Sequence, residues 1–106
     1  SKIFKKSGST DTWDNFTNII SADKRIGDSH MKVPGIDGKM GFGGPCFPKD
    51  CNALLKYSTD LDVTFTLLNK SVDINNEIRN QYNSLSEREI EQNISYIKKE
   101  IKKRSV

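Results

Sequence analysis

The sequence lacks long apolar runs; the longest in its 106 residues is Ala53-Leu54-Leu55. A bilayer-spanning helix needs about 20 mostly apolar residues, so none is predicted. No charged segment followed by an apolar one opens the chain, and no secretory leader is expected. Histidine occurs once, at His30, and cysteine twice, at Cys46 and Cys51. Two cysteines five apart in a short loop are not a zinc spacing, so no metal is expected. A disulfide across so small a loop would be strained, so the thiols are read as reduced and the chain as cytoplasmic. In that setting the Asn-x-Ser/Thr triplets at Asn15, Asn69 and Asn93 carry no meaning. Apolar content is thin as well, at 34% hydrophobic against 29% charged. A domain of this length buries only about two-thirds of the surface its unfolded chain exposes. One small, thinly cored domain is expected, with a partner surface supplying some of the missing burial.

Net charge is +3 and unevenly placed. Lys98, Lys99, Lys102, Lys103 and Arg104 against Glu100 give the tail +4, which leaves the rest at −1. A nucleic-acid binder would spread basic residues over one face of the domain. A basic helix end explains the imbalance better, so neither nucleic acid nor membrane is expected as a partner.

Helical patterns recur along the chain. Ile3 and Phe4, then Lys5-Lys6-Ser7-Gly8, read as a last helical turn with Gly8 as its stop. That helix has almost no beginning, so the sequence is expected to be part of something longer. Asp11 or Thr12 can cap a short helix with Trp13, Phe16, Ile19 and Ile20 on one face. Five glycines and three prolines between Pro34 and Pro48 mark a loop. Pro48 suits the first turn of a helix carrying Leu54 and Leu55. Asp62 can cap the next, whose stripe runs Phe65, Leu68, Val72, Ile74, Ile78 and Tyr82. Ser86-Glu87-Arg88-Glu89 is a capping-box pattern opening a helix with Ile90, Ile94, Ile97 and Ile101 on its face. No window alternates with period two. The predicted fold is all-α: a small helical domain with a Gly/Pro-rich loop and long C-terminal helices.

Chemistry concentrates in Met40-Gly41-Phe42-Gly43-Gly44-Pro45-Cys46-Phe47-Pro48-Lys49-Asp50. Three glycines let a backbone approach a ligand closely. Cys46 precedes a predicted helix N terminus and lies three residues before Lys49; both features favour a thiolate. Asp50, four residues on, can return to the same side to handle a proton or a water. The plain alternative is that Gly-Gly-Pro is an ordinary turn and Cys46 a small buried residue. The glycines follow no predicted strand and lack Gly-Lys-Ser/Thr, which excludes a Rossmann fingerprint and a P-loop.

The string from Gly41 to Asp50 closely resembles the catalytic-cysteine segment of the UDP-glucose/GDP-mannose dehydrogenase family. Asp23-Lys24-Arg25-Ile26-Gly27 resembles that family's Arg-Ile-Gly element, and Trp13-Asp14 its preceding helix. Asn52-Ala53-Leu54-Leu55 and Asn75 fit the same register, so the resemblance runs from about Ser1 to Tyr82. Phe47-Pro48-Lys49-Asp50 is more similar to the UDP-glucose branch.

The resemblance implies a two-step, NAD-dependent oxidation of a sugar C6 alcohol to a carboxylate. Cys46 matches the nucleophile that forms a thiohemiacetal and then a thioester, and Asp50 the residue that helps activate water. Lys49 matches a position on the cofactor side, with Cys46 beside it. Gly41, Phe42 and Gly43 match the loop around the nucleotide sugar, and Lys32 a substrate contact before it. Arg25 matches an arginine that reaches the substrate of a neighbouring subunit, which implies a homodimer. Cys51 has no matching role, and a packed thiol is expected. Residues 1–83 are thus expected to be the latter part of the family's central domain, with 84–106 an unmatched helical tail. The family's dinucleotide-binding domain has no counterpart in the sequence, so the chain alone is expected to bind no NAD and to be inactive. The competing expectation is a non-catalytic helical dimerisation module derived from the same family.

Overall fold

The computed structural model describes residues 1–96, and every regular element among them is a helix, as the all-α reading expects. The chain divides into two compact units, Ser1–Lys39 and the stretch from Met40 onward.

The first unit carries α1 (Lys2–Lys6) and α2 (Trp13–Ser21). Gly8, at φ +78°, leads the chain out of α1 in the left-handed region, as its place after Ser7 suggests. Thr12 caps α2, its hydroxyl accepting the Asn15 N–H at 3.1 Å. Asp11 instead holds the Asn15 side-chain amide at 2.8 Å. Phe4, Trp13 and Phe16 gather with ring centroids 5.6, 5.0 and 5.7 Å apart. The Trp13 indole N–H donates to the Met31 carbonyl at 2.7 Å and so fixes the following loop. The far end of the α2 face stays open, with Ile19 64% exposed.

The second unit holds α3 (Phe47–Asp60), α4 (Thr66–Arg79) and α5 (Glu87–Glu91). Pro48 lies in the first turn of α3, where its missing N–H costs no intrahelical bond. Cys51 of α3, Val72 of α4 and, beyond α5, Ile94 and Tyr96 are buried. Ser58, Asn75, Asn76, Arg79 and Glu89 are buried alongside them. The interior is therefore as polar as it is apolar. No helix among the described residues is long and apolar enough to cross a membrane.

Helix boundaries differ from the sequence reading: α4 ends at Arg79, short of the Tyr82 expected on its stripe, and two other ends close on residues with positive φ. Asp62 does not cap α4; it takes φ +57° and closes α3, whose Ser58 and Thr59 carbonyls accept the Val63 and Asp62 N–H groups. Helix α4 starts later, at Thr66, with no side-chain cap on Phe65. The second of these ends repeats the first. Asn93 at φ +54° ends α5 after five residues, with Ile94 N–H donating to Glu89 O and Asn93 N–H to Ile90 O. Asp and Asn tolerate this left-handed conformation better than other side chains, so each can serve where glycine usually stops a helix. The long C-terminal helix is thus corrected: Ile90 is exposed and Ile94 buried, and they share no helical face. Ile97 and Ile101 lie outside the described residues.

The capping box of α5 forms in full. The Ser86 hydroxyl accepts the Glu89 N–H at 3.2 Å, and the Glu89 carboxylate accepts the Ser86 N–H at 3.0 Å. Ser86→Ala should lower stability by about 1 kcal/mol, the usual worth of such a cap. Urea unfolding followed by circular dichroism measures this, and an unchanged midpoint contradicts the cap's importance.

Candidate functional site

The loop ahead of α3 has no secondary structure of its own, yet α4 and the segment after it grip it at successive positions. The Tyr82 hydroxyl accepts the Met40 N–H at 2.8 Å. Asn75 takes both backbone groups of Phe42: Oδ1 accepts its N–H at 2.7 Å and Nδ2 donates to its carbonyl at 2.8 Å. Arg79 Nη2 donates to the Gly41 carbonyl at 2.9 Å. The Gly41–Phe42 peptide is therefore bonded to α4 through its oxygen and its nitrogen.

The glycines are required by this packing. A Cβ on Gly41, already at φ +78°, would lie 2.6 Å from Asn75 Oδ1; one on Gly43 would lie 2.7 Å from the Arg79 Cζ. The close approach inferred for a ligand is, at these two glycines, an approach to α4. Gly44 has open space around the same position but sits at φ +88°. Its N–H reaches Glu89 Oε2 at 3.4 Å.

Glu89 is 1% exposed. Burial disfavours its charge, but hydrogen bonds from Tyr96, Ser86 and Gly44 outweigh that and hold its carboxyl below the ordinary glutamate value. The Tyr96 hydroxyl donates to Oε2 at 2.5 Å.

The loop delivers Cys46 to the N-cap position of α3, exposed to solvent. Asp50 lies one turn on, its N–H bonded to the Cys46 carbonyl at 2.8 Å, so the two share one side of the helix start. The Phe42 ring packs edge-on against Phe47, with centroids 4.8 Å apart. Cys51 is buried, and desolvation, then the Asp50 charge, push its thiol up. Lys49 is exposed and lines a groove of mixed character with Asn52, Leu55, Lys56, Asn76 and Ile94; neither Cys46 nor Asp50 lines it.

Arg25 and Lys32 belong to the first unit, and the loop from Met40 belongs to the second. Arg25 is exposed and pairs with Asp23 at 2.7 Å, which raises the guanidinium and lowers the carboxyl from their ordinary values. Lys32 is exposed. No three His, Cys, Asp or Glu side chains among the described residues are placed to hold a metal ion.

Residues 2–77 match the model of the UDP-glucose/GDP-mannose dehydrogenase family, central domain. The chain belongs to this family. It is 39% identical over 57 residues to the UDP-glucose 6-dehydrogenase YwqF of Bacillus subtilis (strain 168), covering 54% of this chain and 12% of that protein. It is 38% identical over 60 residues to the UDP-glucose 6-dehydrogenase TuaD of the same organism, covering 57% and 12%. The matched stretch thus spans about an eighth of either relative. No solved structure matches the chain.

NAD, which family membership brings into question, does not fit the described residues as a complete site. They contain no strand from which a glycine turn could present a dinucleotide, and α4 side chains occupy the near side of Gly41 and Gly43. What the sequence reading missed is the set of loop anchors. The sequence reading puts Tyr82 in an apolar stripe, Asn75 in the family register and Glu89 in a capping box, and it gives Arg79 and Tyr96 no role. The Ser86–Glu89 spacing was the one available signal, since a capping-box glutamate has a second oxygen to offer.

Because the folded Glu89 carboxyl lies below its usual value, the stability it contributes is fully present above about pH 4.5 and is lost as pH falls through the folded value. Thermal melts from pH 6 down to pH 3 should show this loss, and Glu89→Gln should flatten that part of the curve. An equally steep decline in Glu89→Gln would assign the acid sensitivity elsewhere.

Proposed function

We propose that this chain is the loop-bearing and dimer-forming part of an NAD-dependent nucleotide-sugar 6-dehydrogenase, with Cys46 as its nucleophile. The supporting observation is Cys46 itself. It is exposed at the N terminus of α3, at the end of a gripped loop, inside the stretch that matches the family model. Residues 1–83 form the family portion in this reading, and 84–106 a tail. UDP-glucose is the proposed substrate, because both named relatives are UDP-glucose 6-dehydrogenases. Two free thiols suit a reducing, cytoplasmic setting.

In the proposed chemistry the Cys46 thiolate attacks the C6 aldehyde carbon. A carbon–sulfur bond forms, the carbonyl electron pair moves to oxygen, and that oxygen takes a proton. Loss of a hydride from that carbon and of the proton from its hydroxyl, with the hydride acceptor held by other parts of the enzyme, would leave a thioester. Asp50 accepts a proton from the water that adds to it. The carbon–sulfur bond then breaks, the electron pair returns to sulfur, and the carboxylate leaves. Gly41, Phe42 and Gly43 form the wall for the nucleotide sugar, Lys32 is a further contact, and Lys49 faces the cofactor supplied by other parts of the enzyme. Arg25 serves the partner subunit's substrate.

Exposed apolar side chains support the dimer: Leu54 and Tyr57 on α3, Leu61 and Val63 after it, and Leu67 and Ile74 on α4. Light scattering should give twice the 12.0 kDa chain mass, whereas a strict monomer at high concentration contradicts this part. The isolated chain should form no NADH from UDP-glucose and NAD⁺.

A chimaera in which residues 2–96, with the loop anchors Arg79, Glu89 and Tyr96 included, take the place of the corresponding segment of YwqF tests the nucleophile. It should oxidise UDP-glucose to the acid, and Cys46→Ala should abolish acid formation while leaving the fold intact by circular dichroism. Undiminished acid from Cys46→Ala would overturn the assignment. A chimaera that folds and dimerises but never turns over would favour the non-catalytic module, which the same exposed apolar faces also suit.

A further inference from the structure

We infer that Tyr96 is a positioning residue for the nucleophile loop, reaching from beyond the family-matched stretch to brace both ends of its Gly41–Gly44 turn. Tyr96 lies nineteen residues past the end of the family match at 77 and is buried. Its two functional parts point along two routes to the loop.

The ring takes the first route. The Arg79 guanidinium carbon lies 5.9 Å from the ring centroid, within the range of a cation–π contact. Arg79 in turn donates to the Gly41 carbonyl at 2.9 Å. The guanidinium also fills the space that a Cβ on Gly43 would need. A ring that holds the guanidinium therefore holds the first half of the turn.

The hydroxyl takes the second. It donates to Glu89 Oε2 at 2.5 Å, the same oxygen that accepts the Gly44 N–H at 3.4 Å. A phenylalanine would fill the same space but leave that carboxylate oxygen without its shortest donor. The Gly44 contact is long, so its geometry depends on where Glu89 is held. Gly44 precedes Cys46 by two residues, with Pro45 between them. The proline ring fixes φ there, so a displacement at Gly44 passes to Cys46 with little slack.

The functional meaning of the brace rests on Cys46 being the nucleophile, but its existence does not. Amide hydrogen exchange by NMR on the full 106-residue chain separates the two. In Tyr96→Phe the Gly44 amide should exchange about two- to tenfold faster, the effect of one lost hydrogen bond. The Phe42 amide, whose peptide carries the Gly41 carbonyl, should keep its rate because the ring is retained. In Tyr96→Leu both amides should quicken, while the helical amides of α3 and α4 around Cys51 and Val72 hold theirs. Uniform quickening of loop and helices would make Tyr96 a packing residue, and an unchanged Gly44 rate in Tyr96→Phe would remove the hydroxyl route; either overturns the inference. If Tyr96→Leu does not fold, the Phe variant decides alone. Failure of the nucleophile in the YwqF chimaera, with this exchange pattern intact, would leave the brace standing and remove only its catalytic meaning.

Discussion

The two hydrogen bonds between the Asn75 side-chain amide and the backbone of Phe42 are the constraint on which the rest of the second unit turns. A primary amide offers a donor and an acceptor in one plane, so it can complete a backbone residue as a neighbouring strand would. Asn75 is 4% exposed, and it brings the loop onto α4 without the loop having regular structure. Each bond contributes on the order of 1 kcal/mol when made, but leaving a buried partner unpaired costs about 1–3 kcal/mol. That asymmetry gives the loop its definition. Once Phe42 is fixed, Gly41 must be a residue without a Cβ, Arg79 finds the Gly41 carbonyl, and the chain arrives at Cys46 from one direction.

The polar interior follows from the same economy of size. A thin supply of apolar residues cannot build a large core, and Pro48, Cys51, Val72, Ile94 and Tyr96 are the buried apolar positions among the described residues. Asn75, Asn76, Arg79 and Glu89 fill the remaining interior, and buried polar groups must be bonded to be tolerated. The loop backbone supplies many of those bonds. Here the groups that stabilise the unit are also the groups that shape the loop ahead of Cys46, so stability and site geometry draw on one network.

Local signals were the legible ones. Thr12, Pro48, Gly8 and the Ser86–Glu89 box sit where their backbone preferences place them, and the absence of period-two alternation excluded sheet. The string around Cys46 led to the family, and the match over residues 2–77 established it. Less legible was anything decided by a polar side chain acting at a distance. Asn75 and Arg79 meet loop residues more than thirty positions away, and no periodicity marks a helical asparagine as an anchor. Asp62 and Asn93 misled for a related reason: each can cap or continue a helix, and only the chain's path shows that each stops one.

The most direct measurement is the exchange rate of the Phe42 amide in the unaltered chain. A loop amide open to water exchanges at the pace of an unstructured peptide, whereas one held by a buried asparagine exchanges only when its surroundings open. Phe42 should exchange as slowly as the buried helical amides around Val72, even though it lies in a loop. Exchange at the rate of a free loop amide would contradict it, because the side chain on which the loop's shape depends would then not be holding it.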